Sequence, residues 1–289
     1  MALHLTAYSL RFAVLRSGFR RQVSLGVRRT YLTTIGEHMD LGLKGKGVIV
    51  TGASRGIGRV TALEFAREGA HLAICARGQE ALEKTRSELT SQGVQVYTQG
   101  CDVSDGVALQ RFLDSAKSTL GRIDVLINNP SAMGTSDDDA GWATSFAVDI
   151  MASVRASWQV VPWMEAQGGG AIVHISSRSG MEAGWPPAYA AVKAALISHA
   201  KTLAHSLAPK GIRVNCVAPG SIEFPGGTWD RARQRNPQRY EAIRSSIPFG
   251  RLGTAEEVAA AVVFLSSSRA SWISGITLAV DGVQYKGNL

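Results

Sequence analysis

Short, almost wholly apolar runs alternate with longer amphipathic stretches along nearly the whole chain, and this rhythm restricts the fold most. Runs of strand length fall at Val48–Thr51, Leu72–Cys75, Val94–Gln99, Ile123–Ile127, Ala171–Ile175, Ile212–Val217 and Thr277–Val280. Helical patterns separate them, from Ile57 to Gly69, Gln79 to Gln92, an N-capping Ser104 to Leu120, Gly141 to Gln167, Ala188 to Ala208 and Ala255 to Leu265. A strand with no polar alternation needs cover on both faces. Strands of this kind joined through helices predict an α/β fold, a doubly wound parallel sheet with helices on both sides. No linker or shift in composition interrupts the pattern after Met39, so residues 39–289 read as one domain, with 221–248 as a polar insert.

Composition removes several alternatives. With 45% apolar residues in 289, the chain can bury a large core, and its 31 glycines follow no three-residue period. No apolar stretch approaches the ~20 residues of a membrane-spanning helix. Cys75, Cys101 and Cys216 lie far apart, with no Cys/His cluster, so neither a disulfide framework nor a metal site is expected. The thiols suit a reducing compartment. Of the formal net charge of +8, residues 1–38 supply +5 through six arginines against Glu37, leaving +3 for the rest, too little for a nucleic-acid binder. That leader is rich in Arg and hydroxyl residues and poor in acids. It has two readings: a mitochondrial presequence, or sequence upstream of a start at Met39. The corresponding locations are the mitochondrial matrix or, on the second reading, the cytoplasm.

The turn Thr51-Gly52-Ala53-Ser54-Arg55-Gly56-Ile57-Gly58 joins the first strand to the first helix. Gly52 permits a tight turn, Gly56 lets the backbone approach a pyrophosphate, and Gly58 allows close helix–strand packing, with the helix N-terminus facing the anion. The second strand ends in Ala76-Arg77 where folds that prefer NAD carry an acid for the ribose 2′-hydroxyl. Arg77 and Arg55 are instead placed to pair with a 2′-phosphate, so NADP(H) is expected over NAD(H).

Tyr189 and Lys193 are four apart on a predicted helix, hence on one face. A phenol is a weak acid, and a neighbouring cation favours its ionised form, which suits it to proton transfer. Ser176 and Ser177 end the preceding strand and offer a hydroxyl to a substrate oxygen. Ser176 is thirteen residues before Tyr189 and Ser177 is twelve.

Together, Thr51–Gly58, Asp102, Asn128-Asn129, Ser177, Tyr189/Lys193 and Pro219-Gly220 resemble the short-chain dehydrogenase/reductases in order and spacing, across about residues 41–285. The ending, from Arg251-Leu252-Gly253 to Val280-Asp281-Gly282, resembles the branch that includes 3-oxoacyl-acyl-carrier-protein reductases. The resemblance implies a Rossmann fold with a seven-stranded sheet, Tyr189 as acid/base, Lys193 on the nicotinamide ribose, and Ser177 orienting the carbonyl. It implies cofactor contacts from Gly52, Ser54, Arg55, Gly56, Ile57 and Gly58 in the turn. Arg77, Asp102, Val103, Asn128, Pro219, Gly220 and Ile222 follow at the later strand ends. There are departures. Pro130-Ser131 replaces the usual Ala-Gly, Asp149 stands at the position of a relay asparagine, and the usual threonine after Pro-Gly is missing.

The resemblance also implies that 221–248 lids a substrate pocket. Its arginines, from Arg231 to Arg244, are either a solvated face or a handle for an acidic carrier, and Trp185, Phe224 and Trp229 are candidate pocket walls. His174 is expected to pack in the core, Asp137-Asp138-Asp139 to form a solvated loop or a helix start, and Trp142, Trp158 and Trp163 to pack the long helix. The leading expectation is an NADP(H)-dependent oxidoreductase interconverting a small carbonyl and its alcohol, with a 3-oxoacyl thioester among the candidate substrates. The rival is an NADPH-binding sensor or assembly subunit with little catalysis. Apolar residues around the girth of the helices near 141–167 and 188–208 predict that these faces are buried between subunits, and the resemblance implies a homotetramer, with a dimer as the alternative.

Overall fold

The computed structural model describes residues 39–134 and 136–288. Residues 41–289 form one compact unit. The leader expected over 1–38 lies outside the described residues.

In chain order the elements are β1 (Gly47–Thr51), α1 (Gly56–Arg67), β2 (His71–Ala76), α2 (Gln79–Thr90), β3 (Val96–Gly100), α3 (Gly106–Leu120) and β4 (Val125–Asn128). There follow α4 (Asp139–Ser145), a π-helical segment Phe146–Met151, α5 (Ala152–Ala166), β5 (Gly170–Ile175), α6 (Pro187–Leu207) and β6 (Ile212–Pro219). The chain ends with β7 (Ile222–Glu223), α7 (Thr228–Arg235), α8 (Pro237–Ser246), β8 (Gly253–Thr254), α9 (Ala255–Ser266) and β9 (Thr277–Val280).

The main sheet has seven strands in the order β3-β2-β1-β4-β5-β6-β9, and every pairing in it is parallel. Alternation along the strands feeds two cores. Val48, Val50, Leu72 and Ile74 face α1, α2 and α9. Ile49, Ala73 and Cys75 face α3, α5 and α6. Both sets are buried, which is why the strands read as continuous apolar runs. The chain crosses over between β3 and β4, so the strand order reverses beside β1. The crevice outside the strand ends at such a point is where α/β sheets bind ligands.

Three local expectations are corrected. Asp105, not Ser104, caps α3, accepting from the N–H groups of Val107 and Ala108. Ser104 is committed elsewhere, its N–H and hydroxyl both donating to Asp102. The helix expected over 141–167 starts at Asp139 and is interrupted by the π-helical segment, a widening that often marks functional positions. Trp158 packs no core, being 65% exposed, and Trp142 is also exposed, while Trp163 is half-buried against the α3–α5–α6 core.

Candidate active site

The predicted site residues lie at or after the C-terminal ends of β1 to β6, and the fold brings these ends to one edge of the sheet. After β1, Gly52 and Gly56 take left-handed backbone conformations, φ +69° and +54°. A Cβ on Gly58 would lie 2.4 Å from both the Asn129 side chain and the Gly52 carbonyl, so only glycine fits. Asn129 spans the gap from β4, its amide donating to the Thr51 and Gly52 carbonyls at 3.2 and 2.9 Å. The N-terminus of α1 carries no side-chain cap and no acid in its first turn. Its N–H groups lack a side-chain partner, the donor set that suits a pyrophosphate, and the Phe224 ring lies beside them at Gly56.

Around this turn, Arg55 and Arg77 are exposed, and neither forms a salt bridge among the described residues. Asp102 is held below the usual carboxylate range by the Ser104 hydroxyl and N–H, with Arg77 adding to the effect. Asn128 is buried, its amide 3.1 Å from His174 Nδ1. His174 in turn meets His199, Nε2 to Nδ1 at 3.2 Å, with the rings stacked. Burial, reinforced by His199 and Lys193, depresses the His174 pKa to about 3, so the ring is neutral and structural. Burial likewise pushes the Cys216 thiol up to about 12.

The two serines after β5 separate clearly. Ser176 turns inward and its hydroxyl donates to the Lys193 carbonyl at 2.7 Å. Ser177 is half-buried and accepts from the Ser179 N–H, opening the 3-10 turn Arg178–Gly180. A Cβ on Gly180 would lie 2.6 Å from the Lys193 backbone, so this glycine lets the serine turn ride directly on α6.

On α6, Lys193 is 2% exposed, and its ammonium lies 3.0 Å from Asp149 Oδ1. It also donates to the Ile175 carbonyl at 3.1 Å. The same ammonium is 5.7 Å from the centre of the Tyr189 ring. An ammonium has three donors, so one remains for the tyrosine side of the cleft. Asp149 comes from the π-helical segment and is 0% exposed. Its second oxygen accepts from the Ala132 N–H at 2.9 Å. One carboxylate therefore ties the Pro130-Ser131 loop to Lys193, serving two donors as an acceptor-only group can.

The insert behaves differently from its sequence pattern. Arg233 pairs with Glu223 and Asp230, Arg244 pairs with Glu241, and Arg239 lies over Trp229. Most of the basic face is thus satisfied within the insert. The three aromatics do not share one wall either. Trp185 stacks under Arg178, Trp229 under Arg239, and Phe224 packs on Gly56. One further contact carries no signal in the sequence. Gln284 is buried and accepts from the Ser221 N–H, pinning the segment after Pro219-Gly220. Asp137 and Asp138 serve α4, accepting from Trp142 Nε1 and the Gly141 N–H. No cluster able to hold a metal is found among the described residues. No helix among them is long and apolar enough to cross a membrane.

Known proteins give this arrangement its context. The profile of a family described as Enoyl-(Acyl carrier protein) reductase matches residues 52–282. The chain is 38% identical over 249 residues to isoepoxydon dehydrogenase patN of Penicillium expansum, covering 84% of this chain and 96% of that one. It is 34% identical over 252 residues to the 3-oxoacyl-(acyl-carrier-protein) reductase of Escherichia coli, covering 85% and 99%. Among solved structures, L-sorbose reductase from Gluconobacter frateurii, complexed with NADPH and L-sorbose, matches with a TM-score of 0.80 at 34% identity, covering 86% and 100%. A 7α-hydroxysteroid dehydrogenase complexed with NADH and 7-oxo glycochenodeoxycholic acid matches at 0.80 and 32%, covering 86% and 98%. The chain belongs to the short-chain dehydrogenase/reductase family. It is an oxidoreductase of the alcohol/carbonyl couple, and its cofactor class is a nicotinamide dinucleotide.

Proposed function

We propose that this protein is an NADP(H)-dependent reductase of a small carbonyl compound, or the corresponding alcohol dehydrogenase, assembled as a homotetramer. The carrying observation is the Lys193 ammonium, buried, paired with Asp149 and set beneath the Tyr189 ring. That arrangement has no structural need of a tyrosine above it, and it supplies the fixed cation that proton transfer from a phenol requires. Asp149 keeps Lys193 in place, which favours the enzyme over a binding-only subunit.

The turn Gly52–Gly58 with Ser54, Arg55 and Ile57 holds the dinucleotide, helped by Asp102, Val103, Asn128, Pro219, Gly220 and Ile222. The nicotinamide, when bound, supplies or accepts the hydride. Ser177 holds the substrate oxygen by its hydroxyl, and Tyr189 gives that oxygen its proton. Lys193 stabilises the phenolate left behind and holds the ribose with its remaining donor. Arg55 and Arg77 select the 2′-phosphate, since exposed guanidinium groups without salt-bridge partners are available to bind it. The internally paired arginines of 221–248 favour a small substrate over a thioester on an acidic carrier. Exposed Trp158 and Phe146, at 65% and 53%, on the α4–α5 side supply apolar surface for a symmetric interface.

The test is turnover of a panel of ketones, aldehydes and 3-oxoacyl thioesters with both cofactors. We expect NADPH-dependent reduction of at least one small ketone or aldehyde, reduced about 100-fold or more in Tyr189→Phe with NADPH binding retained. Binding of NADPH without consumption across the panel would support the binding-only reading instead.

A further inference from the structure

Gly56 is the position where a dinucleotide turn must lack a side chain so that a pyrophosphate can come close. In this chain the space is taken by a phenyl ring. A Cβ placed on Gly56 would meet Phe224 Cζ at 2.7 Å, Cε2 at 2.8 Å and Cε1 at 3.0 Å. The ring therefore lies with its tip over the uncapped N-terminus of α1, where the anion would sit.

Two glycines make room for the ring. Phe224 opens a tight turn, in which the Gly227 N–H donates to the Phe224 carbonyl at 2.9 Å. Pro225 follows it, and Gly226 has φ +69°, the pattern of a type II turn. Gly227 leaves room for the ring on its other side, since a Cβ there would meet Phe224 Cε2 at 3.0 Å. Beyond the turn, α7 and α8 have no buried residues, whereas Ile222 before it is buried and Phe224 packs at the edge of the main core, so the ring and not the segment is the part that can turn. The ring itself is apolar and only half-buried.

We infer that Phe224 is a cofactor gate. Its ring lies against Gly56, where the pyrophosphate must come close, and it gives way by rotation of its own side chain when the dinucleotide enters. The inference rests on the cofactor seat proposed above, and it assigns Phe224 a role in access, not in chemistry. The binding-competent fraction sets the apparent affinity, so removing the ring tightens cofactor binding.

The experiment compares the full chain with Phe224→Ala and with Phe224→Leu, which keeps an apolar group at the turn. Two probes are titrated: NADPH by nicotinamide fluorescence, and adenosine 2′-monophosphate by calorimetry, which has the 2′-phosphate and no pyrophosphate. The gate predicts that Phe224→Ala binds NADPH about tenfold tighter or more, for an open fraction of about a tenth or less. Phe224→Leu falls between, and adenosine 2′-monophosphate binds all three alike. Stopped-flow association with NADPH should stay linear in both proteins, with a smaller slope in the parent chain than in Phe224→Ala. Unchanged or weaker NADPH binding in both variants overturns the gate, and so does an equal change for both probes. If neither probe binds any of the three proteins, the cofactor seat itself is wrong and the gate falls with it.

Discussion

Replacing Asp149 by Asn removes one charge from an ion pair whose partners are 0% and 2% exposed and 3.0 Å apart. Lys193 is left with the Ile175 carbonyl and one amide oxygen, which the Ala132 N–H also needs. Breaking one side of a buried pair costs about 3–5 kcal/mol. The amide keeps the shape and one acceptor, so the lower end, about 3 kcal/mol, is expected for Asp149→Asn. For a domain of this size that is a fall of roughly 6–12 °C in Tm. Lys193→Met strands the carboxylate in the same way and should cost a similar amount. The double variant removes both charges, so its loss should be smaller than the sum by about 2 kcal/mol or more. Urea unfolding followed by tryptophan fluorescence, at one fixed protomer concentration, gives all three values. Single losses that add within about 0.5 kcal/mol would show that the two groups are not coupled, and the account of Asp149 as the anchor of Lys193 would fail.

The serines give a second contrast: Ser177→Ala should lower kcat about 100-fold with little change in stability, whereas Ser176→Ala should cost about 1 kcal/mol of stability, because its hydroxyl donates to Lys193. Steady-state kinetics and denaturation on both variants check this, and the reverse pattern would reassign the hydroxyl. Arg55→Ala combined with Arg77→Ala should erase a preference for NADPH of about tenfold or more, worth about 1.4 kcal/mol, in fluorescence titrations with both cofactors. His174 has a pKa of about 3 in the fold, against about 6.5 unfolded. Its lowered value costs nothing above about pH 6.5, and stability should fall as pH drops from there toward about 3, by about 1.4 kcal/mol per pH unit for this one proton. A His174→Asn variant should lose that slope in pH-dependent urea melts, and an unchanged slope would assign the proton elsewhere.

Much of this molecule is legible in its sequence. The continuous apolar strands announce a sheet covered on both faces, and β9 runs over the same residues, Thr277–Val280, as its sequence pattern. Tyr189 and Lys193 fall on one helix face because their spacing matches a helical turn. The glycines of the first turn are readable because each answers a local steric demand. Other readings needed neighbours. Ser104 and Asp105 are both good caps, and only the competing acceptor Asp102 takes Ser104 out of that role. The basic run in 221–248 resembles a binding face until Glu223, Asp230 and Glu241 are seen to pair with Arg233 and Arg244, two of its five arginines.

By itself, then, the sequence determined the order of strands and helices, the parallel sheet, the dinucleotide turn and the tyrosine–lysine pair, since each rests on periodicities and spacings within a few residues. Tertiary structure alone decided that Ser176 is spent on Lys193 and Ser177 is not, that one Asp149 carboxylate bridges Ala132 and Lys193, and that Phe224 lies on Gly56. The physical reason is that hydrogen bonds, ion pairs and ring contacts act over a few ångströms of space. The residues that make them are brought within that range only when distant segments meet at the ends of the strands.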